Sequence, residues 1–241
     1  MVVAPYWVRL VRTGSTFTAS VSSDGAAWTT VGSDTIAMGT GAYVGLALTS
    51  HNDAALCTAT FTNVSVTGVG FRQDPGPDGI VSIEAESFDA KVDRNGHTWA
   101  PTSPAGVSGS ALSANPNSGV NQDTGYAANS PRLDYKVNFV KTGVHHVWIR
   151  GIGATGSDDS IHAGLNGVES ATSDKISSFG TTWTWSRATM DGASATINVA
   201  STGVHTLNLW MREDGFVVDK IVISSNANYV PSGTGPAQSP R

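Results

Sequence analysis

The sequence predicts an all-β protein built from two β-sandwich modules, and three observations carry that expectation. Apolar residues alternate with polar ones in short runs, as in half-buried strands. Gly, Ser, Thr, Asn and Asp crowd the gaps between those runs, with 27 glycines in 241 residues. No segment sustains an i, i+3, i+4, i+7 apolar stripe over three turns, so little helix is expected. Only 14% of residues are charged, against roughly 25% in an average globular protein.

The elements follow in order. Tyr6 to Arg12 alternates, Thr13-Gly14-Ser15 turns, and Thr16 to Ser22 returns with Phe17, Ala19 and Val21 on one face. Ser23-Asp24-Gly25 turns again before Ala27 to Val31, and Tyr43 to Thr49 and Ala55 to Val66 read as two further strands. Cys57, the one cysteine, lies inside the last run and reads as a buried structural thiol. Arg72 to Gly79 is polar with two prolines and marks a semi-stiff linker. Beyond it, strands are expected at 81–86, 133–140, 144–150, 160–165, 195–199, 204–212 and 217–224. The organisation is therefore a first module over 1–68, a linker over 69–79, a second sandwich over 80–226, and a loose Pro/Gly/Ser-rich tail over 227–241.

Charge excludes some functions. The net charge of −5 and a pI of about 5.6 argue against a phosphate-neutralising nucleic-acid surface. No apolar run approaches the ~20 residues of a membrane-spanning helix. Met1-Val2-Val3-Ala4-Pro5 does not form a signal peptide, so the chain reads as a piece of a longer protein.

Two stretches carry resemblances. Trp7-Val8-Arg9-Leu10, Ser22-Ser23-Asp24-Gly25, Trp28 and Tyr43 to His51 resemble the C-terminal part of concanavalin A-like jelly-roll domains, which implies that the first module is partial. Such a remnant implies an edge or face that pairs with something else, for example in a homo-oligomer. The second module resembles carbohydrate-binding β-sandwiches of the family 6 and family 35 type. Its carriers are Ile83 to Phe88, Leu133-Asp134-Tyr135, Asp158 to His162, Trp183-Thr184-Trp185, Gly203 to Leu207, Met211 to Gly215 and Asp219-Lys220-Ile221. That resemblance implies a secreted bacterial polysaccharide-active protein, in which the module targets a linked catalytic domain to glycan.

Glu84 and Glu86, at i and i+2 on a strand, would share one face and repel unless a cation lies between them. Hard oxygens at that spacing suit Ca2+, with carbonyls of the Gly106–Gly109 loop completing the shell. The resemblance adds Asp219 as the acidic residue that closes a structural calcium site. The alternative is a solvated face or a salt bridge to Arg or Lys. For sugar binding, Trp99, Tyr126, Trp183 and Trp185 are the aromatic candidates. In 204–212, Leu207, Leu209 and Met211 face the core, which leaves Trp210 as a surface platform or part of a second packing layer. Arg212, Glu213 and Asp214 either cap a hairpin through an Arg–carboxylate pair or fork onto sugar hydroxyls or a uronate. Asp158, Asp159 and His162 would join them if the loops converge.

Catalysis is not expected from this chain. Glycosidase carboxylates face each other across a ring at ~5–5.5 or ~6.5–9.5 Å, whereas Glu213-Asp214 and Asp158-Asp159 are adjacent pairs that diverge. No Gly-x-Ser-x-Gly elbow and no His-Glu-x-x-His helix occurs. Gly151 to Gly156 spells a dinucleotide fingerprint without the helix it should open, and the Asn63-Val64-Ser65 sequon falls mid-strand. The reading is thus a non-catalytic carbohydrate-binding module. Its alternatives are an adhesion or assembly module using the partial sandwich, and a hydrolase or lyase activity in the chain itself.

Overall fold

A computed structural model describes residues 5–37, 44–65 and 70–241. The chain divides into two compact units, Met1–Val64 and Ser65–Arg241.

In the first unit, β1 (Trp7–Thr13), β2 (Thr16–Ser22) and β3 (Thr29–Thr35) form an antiparallel meander. Gly14, at φ 62°, takes the first position of the two-residue hairpin that a side chain would disfavour. Asp24 closes the next turn, accepting the Ala26 and Ala27 N–H groups at 2.9 Å each. These bonds hold its carboxyl below the usual range. The strands expected at 43–49 and 55–66 do not form over 44–65, where no residue joins a ladder. Alternation supplies strand propensity, but a strand also needs a partner edge, and these residues lie exposed. Cys57 is exposed, not buried. Tyr43 and Val66 fall outside the described residues.

The second unit is a sandwich. Its strands are β4 (Phe71–Arg72), β5 (Val81–Glu84), β6 (Ala90–Val92), β7 (Thr98–Thr102), β8 (Ala111–Asn115), β9 (Arg132–Phe139), β10 (Gly143–Ile152), β11 (Ile161–Leu165), β12 (Thr184–Ser186), β13 (Thr196–Val199), β14 (Gly203–Met211) and β15 (Val217–Ser224). One sheet runs β12-β10-β15-β8-β7, with β13 also on β10 and β5 on β15. The other runs β11-β14-β9-β4, with β6 on β9. Alternation drives the packing: Val147, Ile149, Ile221 and Ile223 from the first sheet meet Leu133, Tyr135, Leu207, Leu209 and Met211 from the second.

Three local departures from regular strands position the residues of interest. First, β5 ends at Glu84, and Ala85–Ser87 is a single 3-10 turn. Second, the β10–β15 register shifts between Arg150 and Gly151, so that Lys220 pairs Arg150 and Val218 pairs Gly151. Asp219 is the extra residue of that bulge; without it the alternation would put the carboxylate among Ile221 and Ile223. Third, the tail expected to be loose is pinned. Ser239 N–H donates to Ser82 O at 2.8 Å, and Arg72 N–H donates to Pro240 O at 2.7 Å. Arg241 pairs with Asp89 at 2.6 Å and lies 4.1 Å over the Phe71 ring. The tail thereby covers the free edge of β5 and ties it to β4 in the opposite sheet. The supposed linker also enters the body: Gln73 is buried, and its Oε1 accepts the Val140 and Lys141 N–H groups at 2.9 Å each.

Candidate functional site

The loop end of the sandwich gathers Asp158, Asp159, Arg212, Glu213 and Asp214, but commits most of them inward. Asp214 is fully buried. Its Oδ2 accepts Ser118 N–H at 2.7 Å, Ser118 Oγ–H at 2.8 Å and a contact from His97 Nε2 at 3.1 Å, while Oδ1 accepts Gly119 and Val120 N–H at 3.0 Å each. Burial pushes this carboxyl up, yet the bonds from Ser118, Val120 and His97 outweigh it and hold the pKa below its ordinary value. Five donors on one carboxylate leave nothing for a sugar. Arg212 donates to Glu213 at 2.7 Å and to Asp123 at 2.8 Å, the hairpin-capping arrangement. Glu213 Oε2 accepts Asp159 N–H at 3.0 Å and Ser160 Oγ–H at 2.6 Å. Asp158, also buried, receives the Thr155 N–H. Asp159 alone is half-exposed, its pKa raised by burial and by the Glu213 charge.

Three expected ligand contacts prove to be packing. Trp99 is buried, with Nε1–H donating to Pro131 O at 3.2 Å. Tyr126 opens a short helix, α1 (Tyr126–Asn129), and stacks on His162 at 3.8 Å between ring centroids, 8° from parallel. Trp210 meets Tyr126 edge-on at 5.3 Å. This trio is a second aromatic layer on the outside of the second sheet, which resolves Trp210 as packing. Burial drives the His162 pKa down to about 4 and that of Tyr126 up to about 12. His162 is therefore neutral: Lys175 N–H donates to Nδ1 at 3.0 Å, and Nε2–H donates to Gln122 O at 2.9 Å.

Glu84, Glu86 and Asp219 do approach one another, around the 105–110 loop. Ser108 Oγ–H donates to Glu84 Oε1 at 3.0 Å, Ser108 N–H to Asp219 Oδ1 at 2.8 Å, and Ser110 N–H to Glu86 Oε1 at 3.0 Å. Gly109 is required there, because a Cβ would sit 2.4 Å from Glu86 Oε1. Lys220 pairs with Glu84 at 2.7 Å and Arg150 with Asp219 at 2.5 Å. The Oε2 atoms of Glu84 and Glu86 remain buried without a partner among the described residues. Burial first, then the Glu84 and Asp219 charges, raise the Glu86 pKa. Among the described residues, no three His, Cys, Asp or Glu side chains converge as a ready metal site.

The outer face of the first sheet carries an aromatic and cationic strip. Period-two alternation places His146, Trp148 and Arg150 of β10 outward, facing Trp183, Trp185 and Arg187 in and around β12. Arg150 lies 4.8 Å over the Trp183 ring and Arg187 lies 4.7 Å over the Trp148 ring. Trp183 and Trp185 are each half-exposed. Trp183 Nε1–H donates to Ala105 O at 2.8 Å, and Trp185 Nε1–H donates to Gly233 O at 3.0 Å. Trp148, Trp185, Arg187 and the 192–194 turn line a shallow groove of about 370 Å³.

Residues 76–238, nearly the whole sandwich, match the sequence profile of the glycosyl hydrolase family 115 C-terminal domain. The chain belongs to that family. This family 115 C-terminal domain is also similar to uncharacterized protein P23 of Formosa agariphila, at 32% identity over 113 residues. That match covers 43% of this chain and 27% of the relative, so it spans about a quarter of the relative's length. Among solved structures, it is similar to the C-terminal CBM6 of the laminarinase LamC from Zobellia galactanivorans. Identity is 20%, with 61% of this chain and 99% of that chain covered and a TM-score of 0.38. A family 35 carbohydrate-binding module from Clostridium thermocellum matches at 18% identity, 60% and 96% coverage and a TM-score of 0.42.

In this family 115 C-terminal domain, then, the sequence-level candidates divide. Trp99, Tyr126, His162 and Asp214 are interior, and Arg212 and Glu213 are paired with each other. Trp183, Trp185 and Asp159 keep exposed surface. Trp148, Arg150 and Arg187 were missed, although their signal was available: Trp148 and Arg150 lie at i+2 and i+4 from His146 along β10, and Arg187, just past β12, lies at i+2 from Trp185. What hid them was their partnering, since a strand pair is not written in either strand alone.

Proposed function

We propose that the sandwich unit is a non-catalytic carbohydrate-binding module whose binding surface is the outer-face strip around Trp185, Trp148 and Arg187. Flat indole rings accept the C–H faces of sugars, and fixed guanidinium and N–H donors read the substituents. The observation that carries the reading is the ladder in which Arg150 and Arg187 brace Trp183 and Trp148, leaving the Trp185 ring half-exposed beside a groove. Membership of a glycosyl hydrolase C-terminal family supports a role in holding a linked catalytic domain at a polysaccharide, outside the cell. Such tethering raises local substrate concentration without any new contact at the catalytic centre. Commitment of the loop-end carboxylates to internal donors favours binding over hydrolysis. Native affinity electrophoresis against soluble plant and algal polysaccharides tests this: retardation in at least one gel, lost in Trp185→Ala, is expected. Retardation in none, or new reducing ends or unsaturated products released by the chain, would contradict it.

A structural calcium ion belongs to the same proposal. The two orphaned carboxylate oxygens of Glu84 and Glu86 fit a hard cation that takes oxygen ligands, with loop carbonyls completing the shell. Asp219 would contribute charge from alongside, its own oxygens being taken by Ser108 and Arg150. Calcium at 100 times its dissociation constant stabilises the fold by roughly 2.7 kcal/mol. Chelation should lower the melting temperature in the wild type and not in Glu86→Gln; an unchanged melt sinks the assignment.

The N-terminal meander favours a second, compatible role in assembly, because Val8, Leu10 and Val31 are each more than 60% exposed. Sedimentation at dimer or trimer mass, shifted to monomer in Leu10→Lys, supports it; a monomer at all concentrations excludes it.

A further inference from the structure

We infer that the groove beside Trp148 binds an oxyanion, a carboxylate or sulfate carried by a saccharide whose ring lies against Trp185. The inference rests on the carbohydrate reading above and specifies what that surface selects. The groove is lined by Trp148, Trp185, Ser186, Arg187, Ala188 and residues 192–194, and Arg187 is the one charged side chain among them. No carboxylate or carboxamide lines it. A neutral sugar presents hydroxyls that donate as well as accept, and a site built for it supplies both kinds of group. This groove supplies chiefly donors.

The unspent donor is Arg187. Trp148 is 8% exposed, and its Nε1–H is closed off from the surface with no acceptor among the described residues, so this ring serves the groove as a wall and as the platform on which Arg187 stacks. Arg187 uses one Nη1–H on Ala227 O at 2.9 Å, and the guanidinium stacks on the Trp148 ring. No carboxylate pairs with it among the described residues, which leaves Nε and Nη2 available. Stacking fixes the plane of the fork, so little rotamer freedom remains to be lost when it closes on a planar oxyanion. The Ser186 hydroxyl is not part of this set, since it already donates to Ser177 O at 2.6 Å and accepts Ala188 N–H at 3.1 Å. The small residues Ala188, Gly192 and Ala193 leave the approach open. The net charge of −5 means that affinity for a polyanion would not come from the protein as a whole.

Calorimetric titration of the full chain with three soluble glycans tests the inference: a neutral galactan, its sulfated counterpart and a polyuronate. Binding at least tenfold tighter to one oxyanion-bearing glycan than to the neutral one is expected, and the arm that binds names the carboxylate or the sulfate. Arg187→Gln should abolish that preference. Ala193→Glu, on an exposed position that threatens no core contact, should abolish it too. Equal affinity for neutral and anionic glycans in the wild type overturns the inference and leaves the carbohydrate reading standing. So does a preference that survives both Arg187→Gln and Ala193→Glu. Absence of binding to these three overturns the inference, and absence of binding to every polysaccharide of the electrophoresis panel as well overturns both.

Discussion

Replacing Asp214 by Asn separates a structural carboxylate from a sugar-binding one, because the two roles predict opposite losses. The substitution keeps size and shape but turns one acceptor oxygen into an NH2 group. With the amide oxygen in the Oδ2 position, the Gly119 and Val120 N–H groups, each at 3.0 Å, lose their acceptor and face another donor. In the other orientation, Ser118 and His97 lose theirs. At least two donors, part-buried against the buried carboxylate, are orphaned either way. At about 1–3 kcal/mol each, the expected cost is about 4 kcal/mol. For a unit of this size that corresponds to a melting temperature lower by ~10 °C. Calorimetry and urea unfolding measure it, and the urea midpoint should fall with an unchanged slope. Because the native pKa of Asp214 is lowered, its contribution is complete above the unfolded carboxylate value of ~3.9 and is lost as pH falls through the native value. The variant should therefore lose stability less steeply than the wild type below about pH 4. A destabilisation under ~1 kcal/mol together with abolished glycan binding would refute the structural assignment.

Two further perturbations follow from the same packing. His162 titrates near 4 in the fold against ~6.5 unfolded, so the unfolded chain takes up the proton first and stability falls as pH drops from about 6.5 to 4, by about 3 kcal/mol in all. His162→Gln should flatten that segment of the urea midpoint against pH, and an unchanged profile would show that the ring is accessible to water. Gly235 has φ 80°, and a Cβ there would lie 2.7 Å from Trp185 Cζ2. Gly235→Val should cost about 2 kcal/mol from backbone strain and displacement of the ring. It should also shift the tryptophan emission and weaken glycan binding, whereas an unaltered spectrum would release the tail from any part in holding Trp185.

The sandwich was legible because its core obeys a local rule. Leu207, Leu209 and Met211 alternate inward as their sequence dictates, and β9, β10, β14 and β15 begin and end within a few residues of the expected bounds. The interior status of Tyr126 and His162 was not legible. Neither lies on a core face: His162 is on the outer side of β11 directly opposite Trp210 of β14, a four-residue helix brings Tyr126 over both, and neither the strand pairing nor the helix placement leaves a periodic trace in the sequence. Asp219 was placed near Glu84 and Glu86 by resemblance, but its pairing with Arg150 depends on a one-residue bulge that alternation cannot foresee. The tail from Ser232 to Arg241 has the composition of a loose end. It is held instead by partners far away in sequence, Ser82, Lys220, Asp89 and Trp185 among them. Residues 44–65 show the converse case, in which alternation is present and a partner strand is not.

The most direct test of the binding face reads each indole separately. The seven tryptophans give seven Nε1–H resonances in a 15N correlation spectrum, assignable by single Trp→Phe variants. Titration with a retained polysaccharide fragment should move the Trp148 and Trp185 signals and leave the buried Trp99 and Trp210 in place. Shifts confined to Trp7 and Trp28 of the N-terminal unit, or none at any indole, would contradict the assignment of the outer-face strip as the carbohydrate site.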